Sequence, residues 1–300
     1  MKIFSGTSNK PLALAIADKL DLKLSELEVF VFPDGEKRVR IIDKVLDEDV
    51  IVVQSTSNPA DENYMQLFFI VDALKRSGAK SISVVIPYLG YQRQDHVFRD
   101  GEAVSLQVIV ETLEAVGVDK IIALDLHSIK IPELFHLPIE HLSAISLFAK
   151  KIKENKWNDK NTVLVSPDMG GIRRIKLLSE ELGNMPFISI EKNRDLTTGE
   201  VTVGDINEKV LPRAIVVDDM ISSGKTIAVA ANVLKKNGAE EVIVFATHPV
   251  FSIDAPKILQ EGKLEKVYVT DTVFISKEKR FPKLEILSVS EMIAENIKSA

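Results

Sequence analysis

One pattern occurs twice in this chain, and it restricts the fold more than any other feature. A short run of β-branched residues, Val50-Ile51-Val52-Val53, precedes a stretch from Tyr64 to Arg76 with Leu67, Ile70, Val71 and Leu74 at helical spacing. Ser77-Gly78-Ala79 ends that stretch, and Ser81 to Ile86 is a second apolar run, stopped by Pro87. Ala214-Ile215-Val216-Val217, Thr226 to Lys236, Asn237-Gly238-Ala239 and Val242 to Ala246 repeat the arrangement. "ALKRSGAKSISVVIP" and "VLKKNGAEEVIVFAT" correspond position by position. Continuous apolar runs separated by amphipathic helices are the mark of parallel strands buried on both faces. A third run repeats as well, Asp119 to Asp125 against Glu265 to Asp271. The order of agreement points to duplication of one α/β unit. The predicted boundaries are 1–145 and 146–286, with a final helix at 287–300 of open domain assignment.

The 300 residues suffice for two domains, and 45% hydrophobic with 27% charged residues is the balance of a chain with a core of its own. A net charge of -6 argues against nucleic acid as a partner, because phosphate contacts need a surplus of Lys and Arg on one face. The absence of cysteine excludes disulfides, thiolate metal ligands and a thiol nucleophile. The first residues lack the apolar segment of a signal peptide, and no run approaches the ~20 residues of a membrane span. A cytoplasmic enzyme with no membrane partner is expected.

Ligands of doubly wound sheets sit beyond the C-terminal strand ends, so the loops there are where duplicated halves should diverge. After Ile215-Val216-Val217 come Asp218-Asp219-Met220-Ile221-Ser222-Ser223-Gly224-Lys225-Thr226. A small polar loop opening a helix offers backbone N–H groups to phosphate, and Gly224 permits close approach. Ser222, Ser223, Lys225 and Thr226 add side-chain donors. Asp218 and Asp219 would repel phosphate, so hydrogen bonds from sugar hydroxyls are their expected task. A Walker A loop would need glycine where Asp219 stands. The first-half counterpart, Gln54-Ser55-Thr56-Ser57-Asn58-Pro59, has neither the carboxylates nor the glycine.

"VVDDMISSGKT" resembles the phosphoribosyl-binding loop shared by type I phosphoribosyltransferases and phosphoribosyl pyrophosphate synthetases. Further segments resemble the synthetases. Phe32-Pro33-Asp34-Gly35-Glu36 is similar to their adenine-binding loop, and Tyr91-Gln92-Arg93-Gln94-Asp95 to their ATP-binding segment. Asp125-Leu126-His127 resembles the segment whose histidine contacts the Mg-ATP metal. Ser166-Pro167-Asp168-Met169-Gly170-Gly171-Ile172-Arg173-Arg174 resembles their segment holding Mg²⁺ near the ribose, with Gly170 and Gly171 turned to pyrophosphate. Lys192 and Arg194 match the catalytic pair of their mobile loop.

The resemblance, which runs from Phe4-Ser5-Gly6 to the last strand, implies two tandem type I phosphoribosyltransferase-like domains, each a mainly parallel sheet flanked by helices. It implies transfer of pyrophosphate from ATP to ribose 5-phosphate. ATP is expected at Phe32, Asp34, Gly35, Glu36, Arg93, Gln94 and Asp95. Ribose 5-phosphate is expected at Arg194, Asp218, Asp219 and 222–226, Mg²⁺ at His127 and Asp168, and catalysis at Lys192 and Arg194. Residues 129–135 and the Ile221-Ser222-Ser223-Gly224 wording depart from the hexameric class, which suggests an archaeal-like member and a homodimer. Two rivals share parts of the pattern. A phosphoribosyltransferase would not need the Arg93–Asp95 or Lys192/Arg194 segments, and a regulatory synthetase-associated protein would typically alter the catalytic loop.

Overall fold

The computed structural model describes residues 1–190, 192–194, 201–203, 210–252 and 254–299, with only the backbone described at 192–194 and 201–203. The chain forms two compact units, one of Met1–Leu142, Thr272–Phe274 and Ser288–Ala300, the other of Ser143–Asp271 and Ile275–Leu287.

The first unit runs β1 (Lys2–Ser5), α1 (Lys10–Lys19), β2 (Leu27–Val31), β3 (Lys37–Ile41), β4 (Asp49–Val53), α2 (Ala60–Arg76), β5 (Ser81–Ile86), α3 (Ser105–Val116), β6 (Lys120–Leu124) and β7 (Ile139–Leu142). β1, β4, β5, β6 and β7 form one parallel sheet in that order. β2 and β3 form a separate antiparallel hairpin. Phe4, Val52, Val84 and Ile121 from four neighbouring strands meet Leu67, Ile70 and Leu74 of α2 in one core. Full burial of such a side chain contributes roughly 1.5–3 kcal/mol, so the apolar stripe of α2 is reason enough for its place.

The second unit runs α4 (Ile145–Glu154), β8 (Thr162–Ser166), α5 (Ile172–Glu181), β9 (Phe187–Ser189), β10 (Lys192–Arg194), β11 (Val201–Val203), β12 (Arg213–Ile221), α6 (Lys225–Lys236), β13 (Glu241–Pro249), α7 (Ala255–Glu261), β14 (Lys266–Thr270) and β15 (Leu284–Leu287). Its parallel sheet has the order β15-β14-β13-β12-β8-β9, and β10 pairs with β11 alone. Val216, Val244 and Val267 face one core, while Ile215, Phe245 and Tyr268 face another on the opposite side. Two buried faces explain why these strands read as unbroken apolar runs. The last helix, α8 (Ser290–Ser299), packs on α1 of the first unit with Ile293 and Ala294 buried.

Most element boundaries agree with the sequence reading to within a few residues. β12 is the exception: it continues through Asp218 and Asp219 to Ile221 instead of stopping at Val217, because β13 is as long and keeps pairing it to Ile221↔Pro249.

The corner following β4 is sealed. Gln54, Ser55 and Thr56 are 0% exposed. Gln54 Oε1 accepts from the N–H and hydroxyl of Ser8 at 3.2 and 2.8 Å, and its Nε2 donates to Gln66 Oε1 at 2.9 Å. Gln66 Oε1 also accepts from Thr7 N–H and Oγ1 at 2.8 and 3.0 Å. A Cβ on Gly6 would lie 2.1 Å from Gln54 Oε1, so the glycine exists to admit the amide. Ser55 Oγ donates to Thr272 O and Thr56 Oγ1 to Tyr88 O. Buried networks of this kind stabilise only while complete. Gln54→Leu should therefore lower the stability of the first unit by about 2–4 kcal/mol, read as an earlier urea transition, and an unchanged midpoint would remove the network from the account.

Candidate functional site

The corresponding corner of the second unit is built differently. β8 pairs β12 only from Arg213 to Val216. Beyond that point the two acidic side chains bond to the backbone next to them. Asp218 Oδ1 accepts the N–H of Asp219, and Asp219 Oδ1 accepts the N–H of Met220, both at 2.9 Å. The two carboxylates thus stand adjacent near the C-terminal end of a parallel strand, at 14% and 7% side-chain exposure.

Arg174 answers their charge. It lies on the first turn of α5, its Nη1 3.9 Å from Asp218 Oδ1 and its Nη2 3.9 Å from Asp219 Oδ2. Burial pushes the Asp218 carboxyl well above the usual carboxylate range; the charges of Asp219 and Asp168 push the same way, and Arg174 opposes them. Arg174 had no assigned role in the sequence reading. The signal was helical phase: Arg173 is exposed and Arg174 half-buried toward the sheet.

Asp168, in the turn after β8, accepts the N–H of Gly171 at 3.1 Å through Oδ1 and so caps the turn leading into α5. Gly171 was expected to offer that N–H to pyrophosphate, but the carboxylate has taken it. A Cβ on Gly171 would sit 2.4 Å from Ser166 Oγ, so glycine is needed there for close approach of β8 to the turn.

Past β12, Ser222 and Ser223 are half-buried and lead to Gly224, which has φ +75 at the N-cap of α6 and makes no side-chain cap. A Cβ there would be strained by that φ and pressed to 3.3 Å from Leu259. Ser252 N–H donates to Ser222 O at 2.9 Å and braces the loop from β13. Lys225 is exposed and Thr226 half-buried on the first turn of α6. Backbone donors at the start of a twelve-residue helix, hydroxyls and one cation stand beside two carboxylates. An anionic group fits the first set and hydroxyls the second.

In the first unit, Phe32 to Glu36 are the exposed tip of the β2–β3 hairpin. Asp34 Oδ1 accepts the N–H of Glu36 at 3.2 Å, and Gly35 turns at φ +92. The Phe32 ring meets Phe30 edge-on at 5.0 Å, with the Arg38 guanidinium 5.8 Å from its centroid. Arg93 and Gln94 are exposed in the loop after β5. Asp95 Oδ1 lies 2.6 Å from His96 Nδ1. His127 is exposed beyond β6; its N–H and that of Leu126 are held by Gln92 Oε1 and His141 Nε2, both at 2.9 Å. A cavity of about 580 Å³ is lined by Asp95, His96, Ser128, Lys130, Glu133 and Leu134. The structure therefore brings Asp95 and the residue after His127 to one cavity, while the Phe32–Glu36 tip is on a different element. The Lys192 and Arg194 side chains lie outside what the structure describes.

Among the described residues no group of three or more His, Asp or Glu side chains could hold a metal ion. The donor chemistry still fits Mg²⁺, which keeps several waters and is usually held by one or two carboxylates with substrate phosphates, not by an all-protein cage. No described helix is long and apolar enough to cross a membrane.

Fold and site together define an α/β protein that carries, at the C-terminal strand ends of its second sheet, helix-start donors and hydroxyls beside two carboxylates. Residues 1–117 match the N-terminal domain of ribose phosphate pyrophosphokinase, and residues 150–300 match the phosphoribosyl synthetase-associated domain. Ribose-phosphate pyrophosphokinase of Fusobacterium nucleatum is 39% identical over 99% of this chain and 94% of its own length. Ribose-phosphate pyrophosphokinase 2 of Enterococcus faecalis is 37% identical over 99% and 92%. The crystal structure of phosphoribosylpyrophosphate synthetase from Mycobacterium smegmatis superposes with a TM-score of 0.93 at 35% identity, covering 99% of this chain and 97% of that one. The chain belongs to the ribose-phosphate pyrophosphokinase family. Each of its units is an α/β domain with a parallel sheet flanked by helices, the fold shared with that synthetase.

The raised Asp218 carboxyl has a pH signature. Its native state holds the proton more tightly than the unfolded chain does. The stabilisation this brings is complete below the ordinary carboxylate range and is lost as pH climbs through the raised value. The ionised carboxylate is the stronger acceptor of hydroxyl hydrogen bonds, so affinity for a hydroxyl-bearing sugar phosphate at the pair should fall as pH drops through that value. Arg174→Met, which removes the opposing charge, should move the acid limb of kcat/KM for the sugar phosphate to higher pH. An unmoved limb would show that Arg174 does not act on the pair.

Proposed function

We propose that the chain transfers the pyrophosphoryl group of Mg-ATP to the anomeric hydroxyl of ribose 5-phosphate, giving 5-phosphoribosyl 1-pyrophosphate and AMP for nucleotide biosynthesis. The observation that carries this is the α6 start beside Asp218 and Asp219. The 5-phosphate lies on Ser222, Ser223, Gly224, Lys225 and Thr226, and the ribose hydroxyls donate to Asp218 and Asp219. Arg194 adds a contact to the sugar phosphate. In the first unit Phe32 stacks on adenine beside Asp34, Gly35 and Glu36, and Arg93, Gln94 and Asp95 take the phosphate side of ATP. The planar fork of Arg93 suits phosphate oxygens.

The anomeric oxygen forms a bond to the β-phosphorus of ATP. The bond from that phosphorus to the oxygen shared with the α-phosphate breaks, and AMP leaves with the electron pair. The anomeric proton departs to solvent or base. Both substrates are anionic, so alignment and charge set the barrier. Mg²⁺, for which Asp168 and His127 are the proposed protein ligands, supplies charge neutralisation when bound. Lys192 and Arg194 supply more as charge develops.

A phosphoribosyltransferase would consume the same product, but full-length similarity to pyrophosphokinases favours the synthetic direction. The departures at 129–135 and 221–226 support a homodimer, with the cytosol as its place. Light scattering of the purified protein checks the dimer, and a hexamer mass removes it.

The reaction is tested with ribose 5-phosphate, ATP and Mg²⁺ by following AMP and phosphoribosyl pyrophosphate together. They should form in equal amounts and vanish when sugar phosphate or metal is omitted. Lys192→Ala should lower kcat by about 10² or more with far less change in ATP affinity. Turnover near wild type would sink that role.

A further inference from the structure

A side chain with no part in the proposed chemistry ties the nucleotide segment to the His127 corner. Gln92 follows β5 and is 1% exposed. Its Oε1 accepts the His127 N–H at 2.9 Å, across 35 residues of sequence. The bond joins two loops that each turn through a left-handed residue, Tyr91 at φ 62 and Asp125 at φ 34. In a bulky residue such as Tyr91 this conformation persists only where the surroundings over-determine it, whereas an aspartate tolerates it more readily. The Tyr91 hydroxyl donates to Asp61 at the start of α2, and Leu126 N–H donates to His141, so both loops are held at further points.

The orientation of the Gln92 amide follows from this contact, since a flipped amide would set Nε2 against the His127 N–H, donor against donor. That leaves Nε2 buried without a hydrogen-bond partner among the described residues. A buried unpaired donor is unfavourable, and an apolar side chain of the same length would fill the volume without one. The amide is explained by the acceptor it presents to His127. Asp95 and Ser128, three residues and one residue past the bonded pair, line the same cavity of about 580 Å³, a volume typical of small-molecule sites. The bond therefore sets the separation of the two loops that flank that cavity.

We propose that Gln92 is a positioning residue for the nucleotide: it acts through His127 and holds that corner in register with Arg93, Gln94 and Asp95. The proposal rests on the assignment of those residues to ATP. It predicts a defect confined to one substrate, because the sugar-phosphate residues belong to the other unit.

The test uses the full-length protein with Gln92→Met, which keeps length and removes the amide, and Gln92→Asn, which keeps the amide and withdraws it from His127. Steady-state KM is measured for ATP and for ribose 5-phosphate with Mg²⁺ in excess. Calorimetry gives the Kd of a non-hydrolysable ATP analogue with Mg²⁺ and no sugar phosphate. Both variants should raise the nucleotide KM and Kd by about tenfold, with the ribose 5-phosphate KM within about twofold of wild type. Unchanged nucleotide binding in a folded variant overturns the proposal. So does an equal loss toward both substrates, which marks a packing role. If Gln92→Met does not fold, Gln92→Asn decides alone: wild-type behaviour there shows that the residue is only a polar filler. A wild-type protein that forms no AMP refutes the pyrophosphokinase reading, while the analogue Kd of the variants still decides the role of Gln92.

Discussion

Two carboxylates held side by side within a folded domain set the terms for everything around them. Asp218 and Asp219 repel each other and have lost most of their water, and burial raises the Asp218 carboxyl first. Three features make the pair tolerable. Each carboxylate accepts the N–H of the residue that follows it, Arg174 stands 3.9 Å from both, and β8 ends early enough to leave them room. Removing one partner from such a cluster leaves an uncompensated charge. A protein selected for stability alone would do better with apolar residues here. Under the proposed function the cluster is a preorganised acceptor for hydroxyl groups, paid for by the large apolar cores on either face of the sheet.

The same topological position in the first unit shows the other solution. There the loop after β4 is closed by Gln54, Gln66, Ser55 and Thr56, all 3% exposed or less. No room is left for a ligand, and a Cβ on Gly6 could not enter. One strand-end position is thus filled with amides in the first unit and left lined with acceptors and helix donors in the second. The first unit places its exposed polar groups one and two strands along, after β5 and β6, where Arg93, Gln94 and His127 lie. Thr272, which belongs to the same unit, is 0% exposed and its carbonyl accepts the Ser55 hydroxyl, so it too helps close the corner after β4.

What the sequence shows of this follows from what periodicity can carry. Strands buried on both faces are unbroken apolar runs, and α2 and α6 show their stripes, so the sheets and flanking helices are visible in the letters. The 218–226 segment is visible because its composition suits no buried strand. Three features are hidden because they depend on how the folded backbone brings groups together, and not on composition or period. β12 extends past Val217 to Ile221 because β13 is long enough to keep pairing it, through Asp218↔Ala246 to Ile221↔Pro249. Arg174 differs from Arg173 only in the phase of α5 against the sheet. Gly171 reads as an open donor until the Asp168 carboxylate is seen on its N–H.

Short motif segments also conceal a division of labour. In Tyr91-Gln92-Arg93-Gln94-Asp95 the side chains divide between inside and outside: Gln92 is buried while Arg93 and Gln94 are exposed. Exposed positions can meet a ligand, and the buried one can only meet the protein. In Asp125-Leu126-His127 the backbone N–H groups of Leu126 and His127 are both taken by side chains, from His141 and Gln92, leaving the imidazole ring at the exposed edge. A loop gains precision from such anchoring, because a ligand-facing side chain is only as well placed as its backbone. A motif therefore records two kinds of residue, those that touch the substrate and those that keep the first kind still, and only packing tells them apart.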